Sequence, residues 1–434
     1  MNRPLSTRRA FLGGASAAAA GFMLPGCGGD ASAKGPVEIR YWTGWTGDEL
    51  AVQQRLVDEF NRAHPEIRVL LLSVAGAYQK VRIAFAGGAT PDVCSAIWSD
   101  ELAGYAMRGV LTPLDDLLTR SGRRTDEFVP GIERMGRYRG KTYALAVTAN
   151  TNFIVYNKQI FRESGLDAEH PPRTVEELDA AAKACTRYGA GGSFIRYGYR
   201  PSGLLLWSYV FGGQWYDEKS DRVTANDPRN VEALRWLASY GEKYDITRMQ
   251  SFESGFGGTS TPNGPFFVGK TAMWQTGEYA LAHLHRYAPN LEWGWFPLPP
   301  PPGGRQNTCA AAGSVFAIPV ATHHPAEAWT FLDWLTRPYA VGEFCAGIAN
   351  LPPLKVLGKS GRFRKEPLLE FALDLAAGQN VFGPPGMPIW PRYNQEIRRI
   401  EDHAVFGRQD PQRLLDDLTY RMERDLRRAE REVL

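Results

Sequence analysis

Large aromatic rings beside short polar side chains recur in this sequence where apolar runs begin or end. Trp45 and Thr46 follow the alternating run Val37–Trp42, and Trp98, Ser99 and Asp100 follow Val93–Ile97. Asn150 and Asn152 precede Phe153–Tyr156, and Trp207 lies in the apolar stretch Leu204–Val210. Trp274 and Tyr279 flank Gly277, Gly313 and Ser314 open a further run, and Arg392 and Tyr393 follow the Pro384-Pro385-Gly386 break. Phe256 sits in a loop of Gly, Ser and Thr. Ring faces offer apolar platforms, while Asp, Asn and Arg offer fixed acceptors and donors; that mixture makes a small-molecule pocket. Each residue has an ordinary structural use as well: a Trp can be packing, and Asp100 can cap a helix. No GxSxG, HExxH, CxxC or zinc-type Cys/His spacing occurs, so neither metal nor cofactor is implied. The Gly255–Ser260 loop lacks the lysine and spacing of a phosphate loop. His323-His324 before Pro325 reads as a solvated helix start.

The elements that must position these residues alternate between strand and helix. Val37–Trp42 has strand periodicity and breaks at Gly44. Val52, Leu56 and Phe60 share a helix face that stops at His64-Pro65. Ile67–Val74 is nearly all apolar, as a strand covered on both faces would be. Strands are expected at 91–98, 153–156, 272–274 and 313–318. Thr174-Val175-Glu176-Glu177 is a capping box that opens a helix to Tyr188, and Asp227-Pro228 opens another. Pro297–Pro302 is a stiff extended connector. Such alternation argues for an α/β protein with mainly parallel sheets.

Length and composition agree with that picture. The 434 residues allow about two or three domains. A formal net charge of +3 leaves no electrostatic footprint for nucleic acid. Charged residues are 22% and hydrophobic residues 44%, which excludes wholesale disorder. No run approaches the ~18–20 apolar residues of a membrane span. Aromatic usage is high, with 12 Trp, 18 Tyr and 21 Phe.

The first 27 residues read as a targeting segment. Arg8-Arg9 stands before the apolar stretch Ala10–Leu24, which ends at Leu24-Pro25-Gly26-Cys27. The pattern resembles a bacterial twin-arginine signal with a lipoprotein box, so the expectation is export, lipidation of Cys27 and a tether at 28–35. The chain is then held at the outer face of the cytoplasmic membrane or in the periplasm. Cys94, Cys185, Cys309 and Cys345 remain. An even number in an exported chain permits two disulfides, and Cys309 with Cys345 is the most plausible pair.

Across nearly the whole mature chain the sequence resembles family 1 extracellular solute-binding proteins, the receptors of sugar ABC importers. Thr90-Pro91-Asp92-Val93, Gly109–Leu114, Tyr143–Val147 leading to Val155–Lys158, Phe267–Gly277, and Ala326–Leu332 carry the resemblance, in that order. It implies two α/β lobes of the Venus-flytrap type, with a hinge and a ligand cleft between them. Crossings are expected near 147–151, near the proline run and near 320–322. Lobe one is then 36–149 plus 297–321, and lobe two 150–296 plus 322–434. Asn150 and Asn152 would lie at the hinge. The implied partners are a sugar and the importer's membrane subunits, with the receptor as a monomer and not an enzyme. A pyranose suits the candidate residues: its C–H faces stack on rings, and its hydroxyls need fixed partners. Two alternatives stand beside this. One is the same fold holding a glycerophosphodiester, polyamine or chelated iron, for which a phosphate would call on Arg392 or helix N-termini. The other is a secreted carbohydrate-active enzyme, which needs two carboxylates across a glycosidic bond.

Overall fold

The computed structural model describes residues 35–311 and 313–432, and the compact unit discussed below begins at Val37. The twin-arginine pair, the apolar stretch and Cys27 lie outside the described residues.

In chain order the main elements of the first lobe are β1 (Val37–Thr43), α1 (Gly47–Ala63), β2 (Ile67–Ser73), α2 (Tyr78–Gly87), β3 (Val93–Trp98), α3 (Leu102–Met107) and β4 (Ala144–Ala146). Val52, Leu56 and Phe60 are buried along one face of α1. The helix ends at His64 because a residue before proline is pushed out of the helical region. The chain then enters the second lobe with β5 (Phe153–Asn157), α4 (Val175–Cys185), α5 (Leu204–Phe211), α6 (Pro228–Lys243), β6 (Met273–Thr276), α7 (Ala280–Tyr287) and β7 (Trp293–Pro297). Thr174 caps α4 by accepting from the Glu177 N–H, and Asp227 caps α6. Next come β8 (Cys309–Ala310), β9 (Ser314–Ala317), α8 (Pro325–Leu335), α9 (Pro338–Gly347), α10 (Pro367–Ala376), β10 (Val381–Phe382), α11 (Trp390–Val405) and α12 (Pro411–Arg431).

The first sheet has the order β2-β1-β3-β9-β4. β1 pairs parallel with β2 and β3, and β9 runs antiparallel between β3 and β4. The second sheet, β6-β5-β7, is antiparallel throughout. The expectation of a mainly parallel sheet fails there because β5 receives its neighbours only after long excursions, so no local crossover helix dictates direction. β2 is an edge strand with Leu70 and Leu72 exposed, not a strand covered on both faces.

Three further expectations are corrected. Helix α8 packs on the first lobe, with Phe331 edge-on against Tyr41 (5.4 Å) and Phe60 (4.9 Å), while Phe371 of α10 meets Phe153 of β5 (5.7 Å). The chain therefore does not leave the first lobe at 320–322. Large aromatic faces on α8 can only be buried against the β1–α1 core, and that outweighs the composition break at Val320. The proline run also stays on the second lobe, where Pro300 O accepts from Val175 N (3.3 Å) and Val210 O from Arg305 N (2.8 Å). The second crossing is instead the β8–β9 passage, where Cys309 pairs with Val381 and Ala310 with Phe382. All four cysteines of the compact unit are free and buried, so Cys309 and Cys345 do not pair. Each thiol faces a backbone carbonyl instead, Asn150 O for Cys309 and Val147 O for Cys345.

Candidate functional site

Ligands in open α/β sheets meet the loops at the carboxyl ends of strands, here those that follow β1 and β3. Trp45 leaves β1 with its ring edge-on to Phe344 (5.6 Å) and its carbonyl held by Ser73 Oγ (2.8 Å). Its indole Nε1 is buried without a partner among the described residues. Thr46 is exposed at the N-cap of α1 and makes no capping bond. Trp98 ends β3 with 43% of its surface exposed. Ser99 is buried and its N–H donates to Gly313 O (3.3 Å), while Ser314 pairs with Trp98 across the sheet. A Cβ on Gly313 would lie 3.1 Å from Thr148 O, so a glycine lets this turn lie against the first crossing.

Asp100 is mostly buried and its Oδ1 has no partner among the described residues. Burial pushes its carboxyl above the usual range and the neighbouring Glu101 adds to that, while Arg398 of α11 and Arg82 of α2 oppose it. Helix α3 starts after Glu101, whose side chain makes no capping bond. Glu101 instead accepts from Arg82 Nε (2.8 Å).

The first crossing forms the floor. Asn152 Oδ1 accepts from Ala310 N (3.1 Å), and Asn150 Oδ1 is buried without a partner among the described residues. On the far wall, Trp274 is packed on Phe266 (5.9 Å) and Phe267 (5.5 Å), leaving little ring surface open. Tyr279 is 43% exposed. Trp274 and Tyr279 line a cavity of about 200 Å³ with Arg200, Ser202, Glu253 and Gln275. Arg200 grips Glu253 through Nε (3.0 Å) and Nη2 (2.8 Å). A second cavity of about 740 Å³ lies between α2, α3 and the start of α11, lined by Arg82, Glu101, Tyr105, Arg108, Arg392 and Gln395 among others. The Tyr105 hydroxyl is buried there without a partner among the described residues.

Of the expected residues, Trp274, Tyr279 and Arg392 line these two cavities and the other twelve do not. Trp207 is fully buried, because α5 is apolar all round and packs as core. Its Nε1 donates to Gln275 Oε1 (3.0 Å), so it stands behind a lining residue. Tyr393 is also fully buried, on the same face of α11 as Trp390 and Ile397, and its hydroxyl donates to Trp215 O (3.0 Å). Phe256 is half-buried and packs on Phe252 (5.1 Å), outside both linings. Arg392 does line the larger cavity, with its guanidinium on Asp425 Oδ2 (2.8 Å).

Residue patterns missed Arg200, Ser202, Gln275 and Tyr105. The Pro201-Ser202-Gly203 loop was the available signal: Gly203 takes φ +91° there, and Glu401 accepts from the N–H groups of Gly203 (3.0 Å) and Leu204 (2.7 Å). A wider cavity, about 930 Å³, adjoins the one of about 740 Å³ at Pro388, between the Arg137–Gly140 turn and the segments 214–221 and 382–388; none of the expected residues lines it. Among the described residues no group of His, Cys, Asp or Glu is arranged to hold a metal.

Known proteins share both the sequence and the shape. The chain is 22% identical over 353 residues to a maltotriose-binding protein of Pyrococcus abyssi, covering 77% of this chain and 70% of that one. It is 24% identical over 455 residues to the sn-glycerol-3-phosphate-binding periplasmic protein of Pectobacterium atrosepticum, covering 96% of each. The structure of CpMnBP1 with mannotriose bound superposes with a TM-score of 0.77 at 26% identity, covering 88% of this chain and 99% of the other. The family model of bacterial extracellular solute-binding proteins matches residues 44–341, and the chain belongs to that family.

Proposed function

We propose that this chain is the receptor of an ABC importer and captures a neutral oligosaccharide between its lobes. The observation that carries this reading is the set of exposed rings and unpartnered polar atoms among the candidate residues. Trp98 and Tyr279 are exposed, and Trp45 Nε1, Asp100 Oδ1, Asn150 Oδ1 and Tyr105 OH are buried without partners among the described residues. A buried polar atom without a partner costs about 1–3 kcal/mol, and a ligand rich in hydroxyls supplies both donors and acceptors. The maltotriose- and mannotriose-binding relatives support the same class.

The glycerophosphate-binding relative favours a phosphorylated ligand instead. Against it, three of the four guanidiniums named at these cavities are already paired, Arg82 with Glu101, Arg200 with Glu253 and Arg392 with Asp425, which leaves Arg108. A phosphate dianion needs unpaired positive charge.

Capture works by differential affinity: a ligand that bonds both lobes stabilises the closed form, which the importer's membrane subunits then recognise. The reading needs no covalent chemistry. The leader pattern supports twin-arginine export and a lipid on Cys27, with the folded part outside the cytoplasmic membrane as a monomer. Replacing Cys27 by Ser should then release the protein from the membrane fraction.

Thermal unfolding of the chain from Gly28 onward, with mannotriose, maltotriose, glycerophosphodiesters and polyamines in turn, tests the ligand class. A ligand at 100 times its Kd adds about 2.7 kcal/mol of stability. A shift with a saccharide recovered intact supports the reading. A shift with the phosphodiester or the polyamine alone refutes the saccharide but keeps the receptor, and recovered cleavage products refute the receptor.

A further inference from the structure

One buried acid at the hinge belongs to none of the elements assigned above. Glu278 follows Gly277 at the end of β6 and is 1% exposed. Its Oε2 accepts both donors of Thr151 in the first crossing, the N–H at 2.9 Å and the hydroxyl at 3.0 Å. Its Oε1 has no partner among the described residues. A Cβ on Gly277 would lie 2.7 Å from Thr151 O, so the turn and the crossing are in direct contact. The groups that face the carboxyl are Thr151, its own backbone N–H and the Cys309 thiol of β8.

The bonds along the crossing divide it. Before Asn150, Val147 N donates to Ser314 O (3.1 Å) and Ala149 N to Leu351 O (2.9 Å), both on the first lobe. After Asn150, Thr151 is held by Glu278, Asn152 by the Ala310 N–H, and Phe153 enters the second sheet. Among the described residues Asn150 makes no strong bond to either lobe; its carbonyl meets the Cys309 thiol at 3.6 Å.

We propose that Glu278 is a positioning residue for ligand capture: it clamps Thr151 to the turn that carries Tyr279, so that the first crossing bends at Asn150. A carboxyl suits the task because one oxygen can accept an N–H and an O–H together. Burial without an ion partner pushes the acid above its usual range, so a costly group is kept at a joint that moves. The ligand-facing role of Tyr279 rests on the receptor reading; the clamp itself does not.

The test compares wild type with E278A, E278Q and T151V, the last in case E278A does not fold. Amide hydrogen exchange at Thr151 reads the clamp, and calorimetry with mannotriose and maltotriose reads capture. E278A should speed exchange at Thr151 by about tenfold or more and weaken the bound trisaccharide at least about fivefold, as loss of a buried hydrogen-bond acceptor does. T151V should weaken it less, since the backbone donor remains. E278Q keeps an acceptor and should restore both to within about twofold. The difference in thermal stability between wild type and E278Q should shrink as pH falls, because protonation makes the acid resemble its amide. Unchanged exchange in E278A, or E278Q as impaired as E278A, would overturn the proposal. If wild type binds neither trisaccharide, the oligosaccharide reading fails while exchange at Thr151 still decides the clamp.

Discussion

Removing the carboxylate of Asp100 should make the empty protein more stable and the receptor weaker. Its Oδ1 is buried without a partner among the described residues, and burial, with Glu101 beside it, pushes the carboxyl upward. For an acid whose folded value is raised, stability is present at low pH and lost as pH rises through that value. The wild-type melting temperature should carry such a loss toward neutral pH, and D100N should lack it and melt higher at pH 7. Ligand binding should move the other way. A hydrogen bond to a charged group contributes about 1.5–3 kcal/mol and a neutral one about 0.5–1.5. D100N should therefore cost roughly 1 kcal/mol, about fivefold in Kd, and D100A about 1.5–3 kcal/mol, roughly 10- to 150-fold. Scanning calorimetry of the apoprotein across pH reads the first effect and titration with the trisaccharide that binds wild type reads the second. If D100A binds within twofold of wild type, Asp100 does not touch ligand and the assembly of this wall is wrong.

Other substitutions separate packing from recognition. W207A should cost about 3–5 kcal/mol in denaturant unfolding, because the indole is fully buried. Y279A should leave the melting temperature nearly unchanged, the ring being 43% exposed, and lower trisaccharide affinity about tenfold or more in calorimetry. R123A should cost about 3–5 kcal/mol, since the guanidinium is buried and joins Glu127, Asp333 and Thr336. The four thiols of the compact unit should be inert to a thiol reagent in the native protein and react together on denaturation, with no change on adding reductant.

Much of the molecule was legible in its residues, and the exceptions have causes. Period and capping placed α1, α4 and α6, because Val52, Leu56 and Phe60 repeat at helical spacing and Thr174 and Asp227 satisfy helix N–H groups locally. The rule that ligands meet the carboxyl ends of strands made Trp98, Asp100 and Asn150 candidates, and the structure leaves Trp98 exposed and Asp100 Oδ1 and Asn150 Oδ1 without partners among the described residues. Local pattern could not say that α8 returns to the first lobe, since an apolar helix face is equally apolar against either sheet. Nor could it tell Trp207 and Tyr393 from Trp98 and Tyr279: an aromatic ring carries no mark of which side of a sheet it will face. The pairing of Arg200 with Glu253, and of Glu278 with Thr151, joins residues 53 and 127 positions apart. Spacing along the chain holds no trace of such pairs. They exist because the fold brings loops distant in sequence side by side, where every buried polar group must find a partner or wait for one.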